Sequence, residues 1–115
     1  MSESVSARVI DTEAITIFAS DRDQVQVLLD SEDVTTRLLC LEPGQSVGPC
    51  TVECLMLYYV LEGRGRLRLN DDQDTSSLVT GALAIVPAGA ERGIAAQEQM
   101  RVLAVQMHHG EAAFA

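Results

Sequence analysis

The side chains able to do chemistry gather in a short stretch and at a few outlying positions. The seven residues CTVECLM bring together Cys50, Glu53, Cys54 and Met56, with Tyr58 just beyond. Arg92 adds a fixed positive charge, and His108 and His109 stand side by side near the C-terminus. Thiolate, thioether and imidazole are soft donors suited to Cu(I) or zinc, and a thiol beside a cation can become a nucleophile. Spacing argues against both uses. On one strand Cys50 and Cys54 share a face but lie about 13 Å apart, too far for one ion or a disulfide. Adjacent histidines point in opposite directions, so at most one faces inward, and neither is placed by sequence to serve Cys50 as a base. A soft site of Cys50, Met56 and His108 is the minority alternative. A core thiol and a histidine pair at the surface or barrel mouth is the favoured reading.

These residues need elements to position them, and the chain reads as strands. Apolar segments recur every eight to twelve residues with turn chemistry between them, as in an all-β barrel or sandwich. The pattern predicts strands at 14–19, 24–29, 34–41, 52–61, 65–70, 76–80, 82–86 and 100–107. The turns between them include SDRD, DSED, EPGQ, NDDQD, VTG and PAGAERG. In GRGRLRLN, Arg64, Arg66 and Arg68 share a solvent face, with Leu67 and Leu69 opposite. Such a row more often protects a strand edge than binds an anion. In QVQVLL the glutamines alternate with Val25 and Val27 in the same sense, polar out and apolar in. NDDQD lacks the spaced ligands of a calcium loop and reads as a hairpin turn.

The totals narrow the partners. The chain has 115 residues, 47% of them hydrophobic, and no Trp. That is one domain with an aliphatic core. Seventeen acidic residues against eight basic ones, all arginine, give a formal charge of -9. A charge of that sign repels phosphate backbones and anionic lipid surfaces, so neither nucleic acid nor membrane is expected as a partner. The start, MSESVSARVI, has no signal pattern, and no apolar run reaches membrane-spanning length; the expected location is cytoplasmic. Three cysteines at irregular spacing fit reduced thiols, each by default a small core hydrophobe.

Two glycine and proline frames carry a family resemblance. Gly44, the Cys50 to Met56 segment and YYVLEG ending at Gly63 make the first. Gly81, Pro87, Gly89 and Arg92 make the second. Together they cover about a third of the chain and resemble the two motifs of the cupins, which are small jelly-roll barrels. The resemblance implies an all-β double-stranded β-helix forming a single domain over 1–115. Within it, 1–33 would supply N-terminal strands able to dimerise, 34–109 the barrel core and 110–115 a tail whose Phe114 is a candidate to cover an apolar patch.

In metal-binding cupins the first motif supplies two His and a Glu and the second a third His. Matched position by position, those ligands are here Cys50, Val52, Met56 and Arg92; the alternative register puts Pro49 and Thr51 in the first pair. Neither register restores a ligand set, and arginine donates only and repels a cation. The expectation is therefore no metal, no cofactor and no catalytic residue. Some metal-free cupins epimerise sugar nucleotides with a His and a carboxylate, a pair missing from this inner face. Alternation along one strand would line the barrel with Cys50, Val52, Cys54, Met56, Tyr58 and Val60.

An inward Arg92 needs an anionic partner, and the protein carboxylates Glu53 or Glu91 are favoured for that over a ligand anion. The reading that follows is a metal-free binding module for a small organic ligand, anionic if Arg92 is its anchor, held by Cys50, Val52, Met56, Tyr58 and Arg92. The alternatives are an enzyme with a soft metal or thiol site, and a filled barrel acting as a structural or interaction module. A homodimer through the N-terminal strands is expected in each case.

Overall fold

The computed structural model describes residues 7–70 and 74–108. Among them run nine strands: β1 Gln24–Asp30, β2 Val34–Leu41, β3 Ser46–Thr51, β4 Leu55–Glu62, β5 Arg64–Leu69, β6 Asp74–Val79, β7 Leu83–Val86, β8 Glu91–Ala96 and β9 Met100–Met107. They form two antiparallel sheets, one in the order β1-β2-β9-β4-β7 and the other β3-β8-β5-β6. No described helix is long and apolar enough to cross a membrane.

Alternation explains why these segments pack as they do. In β4, Met56, Tyr58 and Val60 are buried while Tyr59 is exposed. On β9, Met100, Val102 and Ala104 turn inward, and on β2 Leu39 and Leu41 do the same. Leu67, Leu78, Ile94 and Ala96 close the core from the other sheet. Each fully buried aliphatic side chain contributes about 1.5–3 kcal/mol, so this interior is the main source of stability. The turn between β4 and β5 depends on Gly63. Its φ is 101°, and a Cβ there would collide with the Gln99 carbonyl.

Strands β2 and β9 coincide with the sequence reading, and β1, β5, β6 and β7 fall within one or two residues of it. Three expectations are corrected. Residues 14–19 form no strand: a turn closes from Ala14 N to Asp11 O, and the segment lies along its own sheet. Gln26 donates to the Ile15 carbonyl, and Arg101 Nη1 donates to Thr12 and Thr16 at 3.4 Å each. The predicted strand 52–61 starts three residues late, as β4, because a bend at 52–54 separates it from β3, a strand over 46–51 that the reading did not include. Strand β8 begins in the last three residues of what reads as the turn PAGAERG and runs on to Ala96.

On β1 the valines lie on the inner face as the alternation predicts, Val25 opposite Leu39 and Val27 opposite Arg37, but burial does not follow. Val25 and Val27 are 46% and 57% exposed, while Gln24 and Gln26 are half-buried. The longer sheet ends in β1, and no strand of the shorter sheet covers its inner face there. The arginine stripe on β5 is exposed, with Leu67 buried opposite. Within NDDQD, Asn70 takes the left-handed φ of 55° at the end of β5, and β5 pairs antiparallel with β6; residues 71–73 lie outside the described residues, as do His109 and the tail with Phe114.

Candidate functional site

The site begins with a bulge. Register between β3 and β8 slips from Val47 to Cys50, around the cis peptide Gly48-Pro49. Gly48 has a φ of 80°, and a Cβ on it would sit 2.7 Å from the Arg92 carbonyl oxygen. Only glycine lets the two backbones approach this closely. After the bulge Cys50 pairs with Arg92 across the strands. The turn after β7 docks onto the bend after β3, with Gly89 N donating to Val52 O at 2.9 Å. The two glycine and proline frames are thereby brought into contact.

Between the sheets lies a cavity of about 200 Å³ open to solvent on one side, while Val60, Leu67, Leu78 and Val102 fill the rest of the interior. Its wall includes Cys50, Val52, Met56, Tyr58 and Arg92, from three separate places in the sequence. Leu39, Val47, Ile94 and Ala104 make the lining largely apolar. The space opens past Val25 and Cys50, both exposed. A second hollow of about 150 Å³ beside Pro49 carries both Arg68 and Glu91, so it lacks an excess of one charge.

Arg92 turns inward and is 1% exposed. Its Nε donates to the Tyr58 hydroxyl at 3.3 Å, and its Nη1 donates to the carbonyls of Ala90 at 2.9 Å and Cys50 at 3.4 Å. Its Nη2 is buried with no hydrogen-bond partner. Among the described residues no carboxylate forms an ion pair with it. Those hydrogen bonds of Arg92 go to a phenol and two backbone carbonyls rather than to Glu53, one of the carboxylate partners favoured by the sequence. Burial raises the Tyr58 pKa above its ordinary value of 10.0, against the opposing influence of Arg92 and Arg37. At neutral pH the phenol therefore keeps its proton. With its oxygen accepting from Arg92, that proton is available to a further acceptor.

Two cavity residues escape the sequence reading. Arg37 of β2 lines the space and donates through Nη1 to Gln106 Oε1 at 2.9 Å. Gln106 Nε2 in turn donates to Cys54 Sγ at 3.6 Å. Arg37, Ala104 and Tyr58 are register partners in one row across β2, β9 and β4, so they share the inner face. Alternation contains this signal, because Arg37 lies two residues from the inward Leu39.

Other expected positions separate. Cys54 lies outside the cavity wall, held by Gln106, because the bend at 52–54 breaks the alternation assumed from Cys50 to Val60. Only Cys40 is a buried thiol; Cys50 is exposed and Cys54 half-buried, and all three are free. His108 Nε2 lies 2.6 Å from Thr35 Oγ1 and does not line the cavity with Cys50 and Met56. Cys50 meets Arg92 through its backbone carbonyl rather than its thiol.

The donor set does not fit the metal that the fold family often carries. The corresponding positions present a thiol, an isopropyl group, a thioether and a buried guanidinium with an unpartnered Nη2. That cation opposes a metal ion in the same space. Among the described residues no three His, Cys, Asp or Glu side chains gather as a metal site.

Comparison with solved structures matches this architecture. A cupin from Desulfovibrio desulfuricans superposes with a TM-score of 0.84 at 20% identity, over 90% of this chain and 98% of that one. The chain has the cupin fold. A double-stranded β-helix protein from Klebsiella pneumoniae gives 0.79 at 19% identity, covering 96% of both chains. A cupin superfamily protein from Desulfitobacterium hafniense gives 0.78 at 20%, covering 90% of this chain and 93% of that one. No family model and no curated protein matches the sequence. At these identities the likeness concerns the cupin fold, and the chemistry has to be argued from the cavity.

Proposed function

We propose that this cupin barrel binds a small organic carboxylate, with Arg92 as its anchor. The observation that carries the reading is the Arg92 Nη2, buried and unpartnered on the wall of an otherwise largely apolar cavity. A buried guanidinium without a counter-charge is costly, and a carboxylate oxygen accepting from Nη2 makes a charge-assisted hydrogen bond. Tyr58 adds a hydroxyl proton, while Met56, Val52, Leu39 and Ile94 offer apolar surface to the ligand's carbon skeleton. Cys50 lies at the rim, where it shapes the opening. The reading is one of binding rather than catalysis, since no acid and base pair accompanies the anchor.

Thermal unfolding with increasing valerate or benzoate tests this. The midpoint should rise with ligand concentration, as linkage requires for a ligand that binds only the folded state. Arg92→Met should abolish the rise without lowering the ligand-free midpoint, because a buried unpaired charge gives way to a hydrophobic group of similar length. No rise with either acid, or an equal rise in the variant, would refute the proposal.

A further inference from the structure

Arg92 is not the only cation on the cavity wall. Arg37 lines it too, from the opposite sheet, and forms no ion pair among the described residues. The lining contains no Asp or Glu, although acidic residues outnumber basic ones seventeen to eight in the chain. Two of the eight arginines therefore share one small space without a counter-charge. Like charges in a partly desolvated cavity repel, and a second anionic group relieves that repulsion.

The two guanidiniums are clamped separately. Arg92 rests on Tyr58, Cys50 and Ala90, whereas Arg37 rests on Gln106, which is itself tied to Cys54. In the row Arg37–Ala104–Tyr58 the outer members belong to strands two positions apart. Their backbones are thus about 10 Å apart, with the small Ala104 side chain leaving room between them. The cavity between the anchors is lined by Leu39, Met56 and Ile94. A cavity of about 150 Å³ holds a benzene-sized molecule, so about 200 Å³ suits roughly eight or nine non-hydrogen atoms.

We propose that the cavity selects a short dicarboxylate with an aliphatic middle, one carboxylate on Arg92 and Tyr58 and the other on Arg37, which Gln106 holds in place. This rests on the carboxylate-binding reading and adds the second anchor and the ligand class. Arg37, with a single hydrogen bond to Gln106, keeps Nε and Nη2 free to meet a carboxylate with two parallel hydrogen bonds, while Arg92 offers its Nη2.

Calorimetry with succinate and glutarate against butyrate and valerate, the monocarboxylates of equal chain length, tests it. The dicarboxylates should bind at least about tenfold tighter, the scale of one charge-assisted pair. Arg37→Met should bring the ratio of dicarboxylate to monocarboxylate affinity close to one, and Arg92→Met should weaken both classes. The wild-type comparison alone decides the point if the Arg37 variant folds poorly. Equal binding of the two classes would overturn the second anchor and leave the first intact. Binding of neither class would overturn both.

Discussion

Tyr58 has two tasks at the site, and the second depends on its proton. Its oxygen accepts from Arg92 Nε, and its hydrogen remains to meet a ligand oxygen. Burial protects the neutral form by raising its pKa above 10.0. A group whose pKa is raised on folding contributes stability below its unfolded pKa and loses it as pH rises through the folded value. The unfolding midpoint should therefore fall as pH climbs above the ordinary tyrosine value. Burial also raises the Cys40 pKa from 9.0, so part of the alkaline loss belongs to that thiol. Comparison with Tyr58→Phe isolates the tyrosine share, since both proteins keep Cys40. The variant's midpoint should decline less steeply above pH 10, and parallel declines would show that Tyr58 ionises as freely folded as unfolded.

Among the elements, β9 sets the size of the cavity. Ala104 lies between Arg37 and Tyr58 in a row where a larger residue would reach into the space. Ala104→Leu should close the cavity and reduce carboxylate binding more than tenfold, measured by calorimetry. Filling an existing void limits the stability cost to about 1–3 kcal/mol, the range for overpacked cores. Unchanged affinity in a folded variant would place the ligand elsewhere.

The strands that sequence reading recovers are those with long apolar runs bounded by turn residues, such as β2, β4 and β9. Strands β3 and β8 lack such runs. SVGPCT reads as a loop because of Gly48 and Pro49, and ERGIAA offers small residues with no apolar period. These two strands pair with each other and carry Cys50 and Arg92, so the wall holding the anchor was the hardest part to read. Arg37 was hidden for a different reason. Both faces of β2 are apolar around it, since the outward Leu38 and Cys40 are also fully buried, and β2 shows no polar face to betray which way Arg37 points. The glycine and proline frames specify turns, which is why they identify the fold while leaving the ligand chemistry to be found in the cavity.

For the whole molecule, charge is the dominant long-range feature. A formal charge of -9 on 115 residues is a dense excess, and two of the few compensating cations are committed to the cavity. Arg101, 2.9 Å from Glu62, is the tight ion pair among those described, and Arg64 with Glu98 at 3.9 Å is exposed. An exposed pair of that kind contributes about 0–1 kcal/mol. Net repulsion among surface carboxylates should therefore outweigh favourable surface pairing at low ionic strength. Raising NaCl from about 20 to 300 mM shortens the screening length from about 20 Å to about 6 Å, which quiets that repulsion. The midpoint of thermal unfolding at neutral pH should rise by a few degrees over this range. The buried Arg92 is screened much less, so Arg92→Met should show the same salt-dependent rise as the wild type. A midpoint that falls with salt would mean that surface ion pairs, rather than the excess of carboxylates, govern the electrostatics of the folded chain.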